Sequence, residues 1–347
     1  MASLSSDNLA AVLESKNAPV TITFRAIPSP GPGELLIRNR AIAANPVDWK
    51  IQAHGLFIEE YPTVLGSDVC GEVISIGPNV THFAPGDRVT GYAGVVYNHN
   101  IDHGAWQTYC ILPELGSCKI PETMGFEEGA VFPMGMATAG VALFEILGFP
   151  REKLKEDARQ GVIVWGAASS VGASATQIAC VMGWKVIATA SPRHHEWLKK
   201  LGVTEVFDYK DPKVLEKIEK AAKDKDLVLQ KAVDCISEGD TLDFVPDALT
   251  AAGGGGGKIA TVLWRPEGKA EPEGIEIGLA VGMRHALDLK DFGRWFFNEW
   301  LEEHLATGSV VPAPEIQIVH GGVAAAQKVF DLLKAGVSGK KLVVQVE

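Results

Sequence analysis

The sequence predicts an α/β protein with a β-rich domain of short strands and a doubly wound parallel-sheet domain. Three observations carry this. The chain has 347 residues, about twice the usual length of a single domain. Up to about Pro133 it reads as short strands punctuated by Gly and Pro. From Gly161 onward, apolar strand-like runs alternate with helical patterns, the rhythm of a parallel sheet covered on both faces.

In the first part, Glu34–Arg38, Val69–Ile76 and Arg88–Tyr92 are strand candidates. Turn residues at Ser29–Gly33, Gly77–Asn79 and Pro85–Asp87 separate them, and the pattern predicts an irregular β barrel. Gly161–Trp165 is a buried strand, followed by a Gly/Ser-rich turn and an apolar helix over Ala173–Met182. Lys185–Thr189 is the next strand, and Glu196–Leu201 is helical with Gly202 at its stop. Glu205–Tyr209, Ala232–Ile236 and Lys258–Leu263 read as three more strands. The glycine run Gly253–Gly257 is a turn before the last of these, since no helical pattern follows it. Ala326, Val329, Phe330 and Leu333 share one helical face, Gly336 ends that helix, and Lys341–Val346 is a final strand. The aromatic stretch Phe292–Trp300 has helical spacing and reads as core.

Composition narrows the function. Hydrophobic residues are 46% and charged residues 22%, an ordinary globular balance that excludes a disordered or collagenous chain. The net charge of −11 argues against a nucleic-acid partner, because neutralising phosphates needs a basic face. No apolar run nears the roughly 20 residues of a membrane span, and the start MASLSSDNLAAVLES lacks the basic and apolar regions of a signal peptide. No membrane association is expected. Cys70, Cys110, Cys118, Cys180 and Cys235 form no Cys-x-x-Cys pair. They read as reduced, mostly buried thiols of a cytoplasmic enzyme.

Gly166-Ala-Ala-Ser-Ser-Val-Gly172 follows the first buried strand and opens a helix, the context a dinucleotide fingerprint requires. Small residues there let the backbone approach a pyrophosphate, and the helix N-terminus offers free N–H groups. Gly166, Ser169, Ser170, Val171 and Gly172 are therefore cofactor-binding candidates, against the plainer reading of a structural turn. The second strand points to NADP(H). NAD enzymes place an acid about 20 residues beyond the fingerprint. Here Thr189 is followed by Ala-Ser-Pro-Arg-His-His, and the first acid, Glu196, lies inside the next helix. Ser191 and Arg193 suit a 2′-phosphate, Arg supplying a bidentate fork. The alternative is that Arg193 only decorates a helix turn.

A family resemblance rests on Asn45-Pro-Val-Asp-Trp-Lys50, Leu65-Gly-Ser-Asp-Val-Cys-Gly-Glu-Val73, Pro85-Gly-Asp-Arg-Val89, the Gly166–Gly172 turn, Asp208-Tyr209 and Ser338-Gly-Lys-Lys-Leu-Val343. With these segments in order, the whole chain resembles the medium-chain dehydrogenase/reductase superfamily. It is most similar to the zinc-free branch of quinone reductases and fungal stand-alone enoyl reductases, which act in trans on polyketide chains. The resemblance implies a GroES-like catalytic domain from residues 1–133 and 296–347, and a Rossmann NADP(H)-binding domain from 134–295. It implies a small-molecule or acyl-thioester substrate, a polyketide synthase acyl carrier as a candidate partner, and a monomer or homodimer.

Zinc members place Cys, His with a following Glu, and a second Cys around the catalytic metal. The corresponding positions here are Asn45, Ser67 with Asp68, and Met134, none of which gives zinc a thiolate or imidazole. No metal is expected. Zinc acts on an alkoxide as a Lewis acid, so a chain without it suits conjugate reduction. Hydride then adds to the β-carbon, and hydrogen-bond donors stabilise the enolate.

By the same resemblance, Lys50 lies near the nicotinamide, where it holds the ribose or donates to the enolate. A solvated lysine is the competing reading. Asp48 orients or pairs with Lys50. Asn45 holds the substrate carbonyl or packs a turn. Thr138 contacts the carboxamide or substrate, or bonds its own helix backbone. Met134 and Met136 form an apolar wall for an acyl chain, or fill core. Tyr209 lines the adenosine phosphate pocket, Leu263 lies at a carboxyl strand end where open sheets bind ligands, and Lys340, with Lys341 beside it, reaches the cofactor. Leu279 and Val281, within Gly278–Gly282, line the substrate pocket or belong to an edge strand. Tyr61 and Tyr92 are unranked proton-donor candidates. The expected activity is an NADPH-dependent reductase of an enone or enoyl thioester. A quinone reductase and a non-catalytic NADPH-binding protein are the alternatives.

Overall fold

The computed structural model describes residues 7–347. The sequence expectation for the first six residues lies outside them. The strands, in chain order, are β1 (Asn8–Leu13), β2 (Thr21–Arg25), β3 (Glu34–Ala43), β4 (Thr63–Val64), β5 (Asp68–Ile76), β6 (Arg88–Tyr92), β7 (Tyr109–Pro113), β8 (Ser117–Lys119), β9 (Gln160–Trp165), β10 (Lys185–Thr189), β11 (Glu205–Phe207), β12 (Val228–Asp234), β13 (Lys258–Thr261), β14 (Glu276–Leu279), β15 (Glu315–Ile318) and β16 (Lys340–Gln345). They fall into two compact units. The first runs to Met134 and resumes at Met283, and the second is Gly135–Gly282.

In the first unit a seven-stranded sheet runs β15-β16-β3-β5-β6-β8, with β7 also on β3, beside a three-stranded sheet β2-β1-β4. Apart from the parallel β15–β16 pair, the pairings are antiparallel. Val343 pairs with Ala43, Ala43 with Asp68, and Asp68 with Tyr92. One row therefore crosses four strands, and residues directly opposite in antiparallel strands present their side chains on one face.

The unit resumes at Met283, 13 residues before the boundary expected from sequence. The physical cause is aromatic packing. Phe292, Phe296 and Trp300 are buried and stacked, with ring centroids 5.2 and 5.3 Å apart. Asn298 donates to the carbonyls of Glu114 and Ser117 in the same unit.

The second unit is a six-stranded sheet of order β11-β10-β9-β12-β13-β14, with every pair parallel. Counted from β9, this is the 3-2-1-4-5-6 order of a doubly wound dinucleotide fold. Leu279 lies on the edge strand β14. The helix Val214–Asp224, unanticipated in sequence, buries Val214, Ile218, Ala221 and Ala222 in a cluster with Ile163 and Ile187 of β9 and β10. Each large aliphatic side chain so buried contributes about 1.5–3 kcal/mol.

One composition expectation is corrected. The helical stretch Phe126–Ile146 is 21 residues long and apolar enough to cross a bilayer by length and composition, but 83% of its apolar window is buried inside the protein. It is so apolar because it is packed on most sides.

Candidate functional site

In the first unit a charged cluster forms where the sheet row meets the helix Pro46–His54. Pro46 stands at the first helical position, where its missing N–H costs nothing. Asn45 precedes it, and Asp48, one turn on, accepts the Asn45 backbone N–H at 3.0 Å through Oδ2. The Asn45 side chain also bonds outside its helix. Its Nδ2 donates to Asp68 Oδ2 at 2.9 Å, and its Oδ1 accepts from Lys341 Nζ at 2.5 Å.

Asp68, at the start of β5, is the hub. Oδ2 also accepts from Lys341 Nζ at 2.8 Å, and Oδ1 accepts the Met134 backbone N–H at 2.7 Å. It thereby caps the helix Pro133–Gly140. The ion pair is almost completely dry, with side-chain exposures of 3% for Lys341 and 0% for Asp68. At such a site each charge is tolerated only because the other is present.

Asp48 is fully buried, and its Oδ1 has no hydrogen-bond partner among the described residues. Burial, reinforced by the Asp68 carboxylate, pushes its pKa up to about 7, while the Asn45 N–H, Lys341 and Trp106 oppose the rise. Ser67 and Tyr92 complete the neighbourhood. Both are buried, and the Ser67 side chain faces the Tyr92 hydroxyl. Lys50 is half-buried, its ammonium 5.9 Å from the Trp49 ring centroid.

The cluster thus gathers Asn45, Asp48 and the Met134 backbone with Asp68 and Lys341, whereas Lys340 points away to an ion pair with Glu315 at 3.4 Å. The burial of Lys341 is the feature sequence reasoning missed. Its one available signal was strand parity, which puts Lys341 on the same face as the buried Val343 and opposite to Lys340.

In the second unit the turn after β9 fits a dinucleotide. Gly166 has φ +77°, a conformation that favours glycine. Its N–H donates to Thr189 Oγ1 of β10 at 3.1 Å. Ser169 caps the helix Ser170–Val181 by accepting the Gly172 N–H at 3.0 Å. A Cβ at Gly172 would lie 2.4 Å from the Gly166 carbonyl oxygen, so only glycine allows this close packing of turn and helix. The Ser170 hydroxyl is buried without a partner among the described residues, and Val171 is half-buried beside it.

At the tip of β10, Ser191 Oγ donates to the Tyr209 hydroxyl at 3.4 Å. Arg193 is exposed, its Nε donating to His194 Nε2 at 3.1 Å, and Lys210 lies 5.8 Å from the Tyr209 ring. Glu196 turns to Lys199 at 3.0 Å. The tip therefore presents hydroxyls and cations, and these residues fit a nicotinamide dinucleotide.

Thr138 is buried. Its Oγ1 would lie 2.7 Å from a Cβ at Gly282, so it packs against the segment that carries Leu279 and Val281. Met136 is fully buried, while Leu263, two residues beyond β13, is half-buried.

Comparison with known proteins follows the same division. Residues 31–122 match the alcohol dehydrogenase GroES-like domain, and residues 170–262 match the zinc-binding dehydrogenase family. The second description implies zinc, but Asn45, Ser67 and Met134 do not fit that metal. Among the described residues, no three or more His, Cys, Asp or Glu side chains gather as a metal site. The chain is 36% identical over 344 residues to the trans-enoyl reductase tndF of Aspergillus flavipes, covering 97% of this chain and 99% of that protein. It is 40% identical over 253 residues to the trans-enoyl reductase tazE of Aspergillus terreus, covering 70% and 83%. The crystal structure of CurK enoyl reductase shares the fold at a TM-score of 0.77 and 19% identity, covering 98% of this chain and 99% of that one.

Proposed function

The chain belongs to the medium-chain dehydrogenase/reductase superfamily, and from that membership we propose that it is an NADPH-dependent reductase of an activated carbon–carbon double bond. It is an oxidoreductase, and members of its family generally bind a nicotinamide cofactor. The finer reading is that hydride passes to the β-carbon of an enoyl thioester or enone, with no metal taking part.

One observation carries it. The Asn45 carbonyl and the Asp68 carboxylate, at positions matched to the metal site of zinc relatives, are both engaged by the Lys341 ammonium. A side chain so committed is not available to a Lewis acid. The charge of conjugate addition spreads over an enolate, which hydrogen-bond donors can stabilise. The bound nicotinamide supplies the hydride. This chain's own residues orient it and the substrate: Gly166, Ser169 and the helix N-terminus at the pyrophosphate, and Ser191, Arg193 and Tyr209 at the 2′-phosphate. Asn45 has one Nδ2 hydrogen left after bonding Asp68, and it is aimed at a substrate oxygen in this reading, with Lys50 as a second donor.

The relatives' names favour an enoyl substrate, and an acyl-carrier-bound polyketide thioester is the substrate class we assign. A reducing, cytoplasmic location goes with five free cysteines. The test is NADPH consumption with a panel of enoyl thioesters, enones and quinones. Turnover on thioesters or enones supports the reading. Turnover on quinones alone, or tight NADPH binding with no turnover, overturns it.

A further inference from the structure

We propose that the Tyr92 hydroxyl is the acid that protonates the α-carbon of the enolate after hydride has reached the β-carbon, an assignment that rests on the reduction proposed above. The sheet register places it. Tyr92 ends β6 directly opposite Asp68, so its side chain shares a face with the hub of the buried cluster. The backbones are tied beside this pair by the Ala93 N–H to the Ser67 carbonyl at 2.7 Å.

The ring is held in place. His285 meets it edge-on with centroids 5.2 Å apart, and Tyr97 lies 6.4 Å away on another side. Tyr92 is only 4% exposed, so its hydroxyl has few orientations, and the Ser67 hydroxyl faces it.

Apart from Asp48, whose carboxyl serves the first turn of its own helix by accepting the Asn45 backbone N–H, the neighbouring groups are already occupied. Lys341 spends its ammonium on Asn45 and Asp68. Asp68 accepts three hydrogen bonds, from Asn45, Lys341 and the Met134 backbone. Tyr61, the other tyrosine singled out from sequence, places its hydroxyl 3.3 Å from a Cβ at Gly55, beyond the far end of the helix Pro46–His54. That helix is nine residues long, about 14 Å at 1.5 Å per residue. Burial and the nearby carboxylates hold the Tyr92 pKa well above the ordinary phenol value. It therefore keeps its proton at neutral pH and yields it only to a strong base such as an enolate carbon.

The step balances. Two electrons and a hydrogen arrive as hydride from the reduced nicotinamide, the only reductant required. The enolate α-carbon takes the phenol proton as the O–H bond breaks, leaving its electron pair on the phenolate oxygen. The Ser67 hydroxyl then returns a proton to that oxygen and recovers one from solvent. The double bond gains one hydrogen at each carbon.

The probe is the tigloyl thioester of N-acetylcysteamine, whose α-carbon becomes a stereocentre on reduction, with NADPH in D2O. Wild type is expected to place deuterium on one face of that carbon. Tyr92→Phe should bind NADPH with unchanged affinity, lose about 100-fold in kcat with little change in KM, and give mixed α-configuration because solvent now protonates the enolate. Ser67→Ala should slow turnover about 10-fold while keeping one configuration. Tyr97→Phe should match wild type in both. A Tyr92→Phe enzyme that retains a single configuration at a rate within about threefold of wild type overturns the assignment. A wild type that consumes NADPH on no thioester or enone withdraws the reduction itself, and this inference with it.

Discussion

Lys341 and Asp68 form an ion pair at 2.8 Å that is almost completely dry, its side chains 3% and 0% exposed. Breaking such a pair from one side strands a charge in a dry interior, at about 3–5 kcal/mol. Lys341→Met should therefore lower stability by about that amount in chemical denaturation, and Lys341→Met with Asp68→Asn should recover part of the loss. A single variant as stable as wild type would contradict the geometry.

Asp48 makes stability depend on pH. Its carboxyl is raised from an ordinary 3.8 to about 7, so the folded protein binds a proton more tightly than the unfolded chain. The sign follows from linkage: stability from this group is fully present below about pH 4 and is lost as pH rises through about 7, to a total of about 4 kcal/mol at most. Asp48→Asn, neutral at every pH, should flatten the denaturation midpoint across that window. A variant with the wild-type slope would show that Asp48 titrates normally.

Much of the fold and part of the site were legible from the chain, for reasons that differ by residue. The nucleotide turn reads clearly because Gly166 and Gly172 sit between a continuous apolar strand and an apolar-periodic helix, a local pattern. The alternation from β9 to β13 reads for the same reason. The cluster reads only in part. Asn45, Asp48 and Met134 stand out through family motifs, but Lys341 lies 273 residues from Asp68, and no local periodicity announces a lysine that a distant strand pairing buries. The return to the first unit at Met283 was hidden likewise, since the aromatic segment's partners are Glu114 and Ser117.

The 2′-phosphate assignment makes a prediction about charge. Arg193→Glu places a carboxylate at the tip of β10, beside Ser191 and Tyr209. NADPH affinity measured by calorimetry should fall about 10- to 100-fold, roughly 1.4–2.8 kcal/mol, while NADH affinity changes little. Equal losses for both coenzymes would show that Arg193 does not read the phosphate.

The close approach at the nucleotide turn predicts a steric cost. Gly172→Ala puts a Cβ 2.4 Å from the Gly166 oxygen and 2.6 Å from Ala167 Cα, both backbone atoms that cannot rotate away. Thermal and chemical denaturation should show a loss of about 1–3 kcal/mol with weakened NADPH binding. Unaltered binding would mean that the turn does not contact the cofactor.

The most direct measurement is label transfer from NADPH carrying deuterium at the reactive nicotinamide carbon to a crotonyl thioester, with the product read by NMR. One deuterium per turnover is predicted, on the β-carbon of a saturated acyl chain. Deuterium at a carbonyl carbon, or NADPH oxidised with the double bond intact, would contradict conjugate reduction.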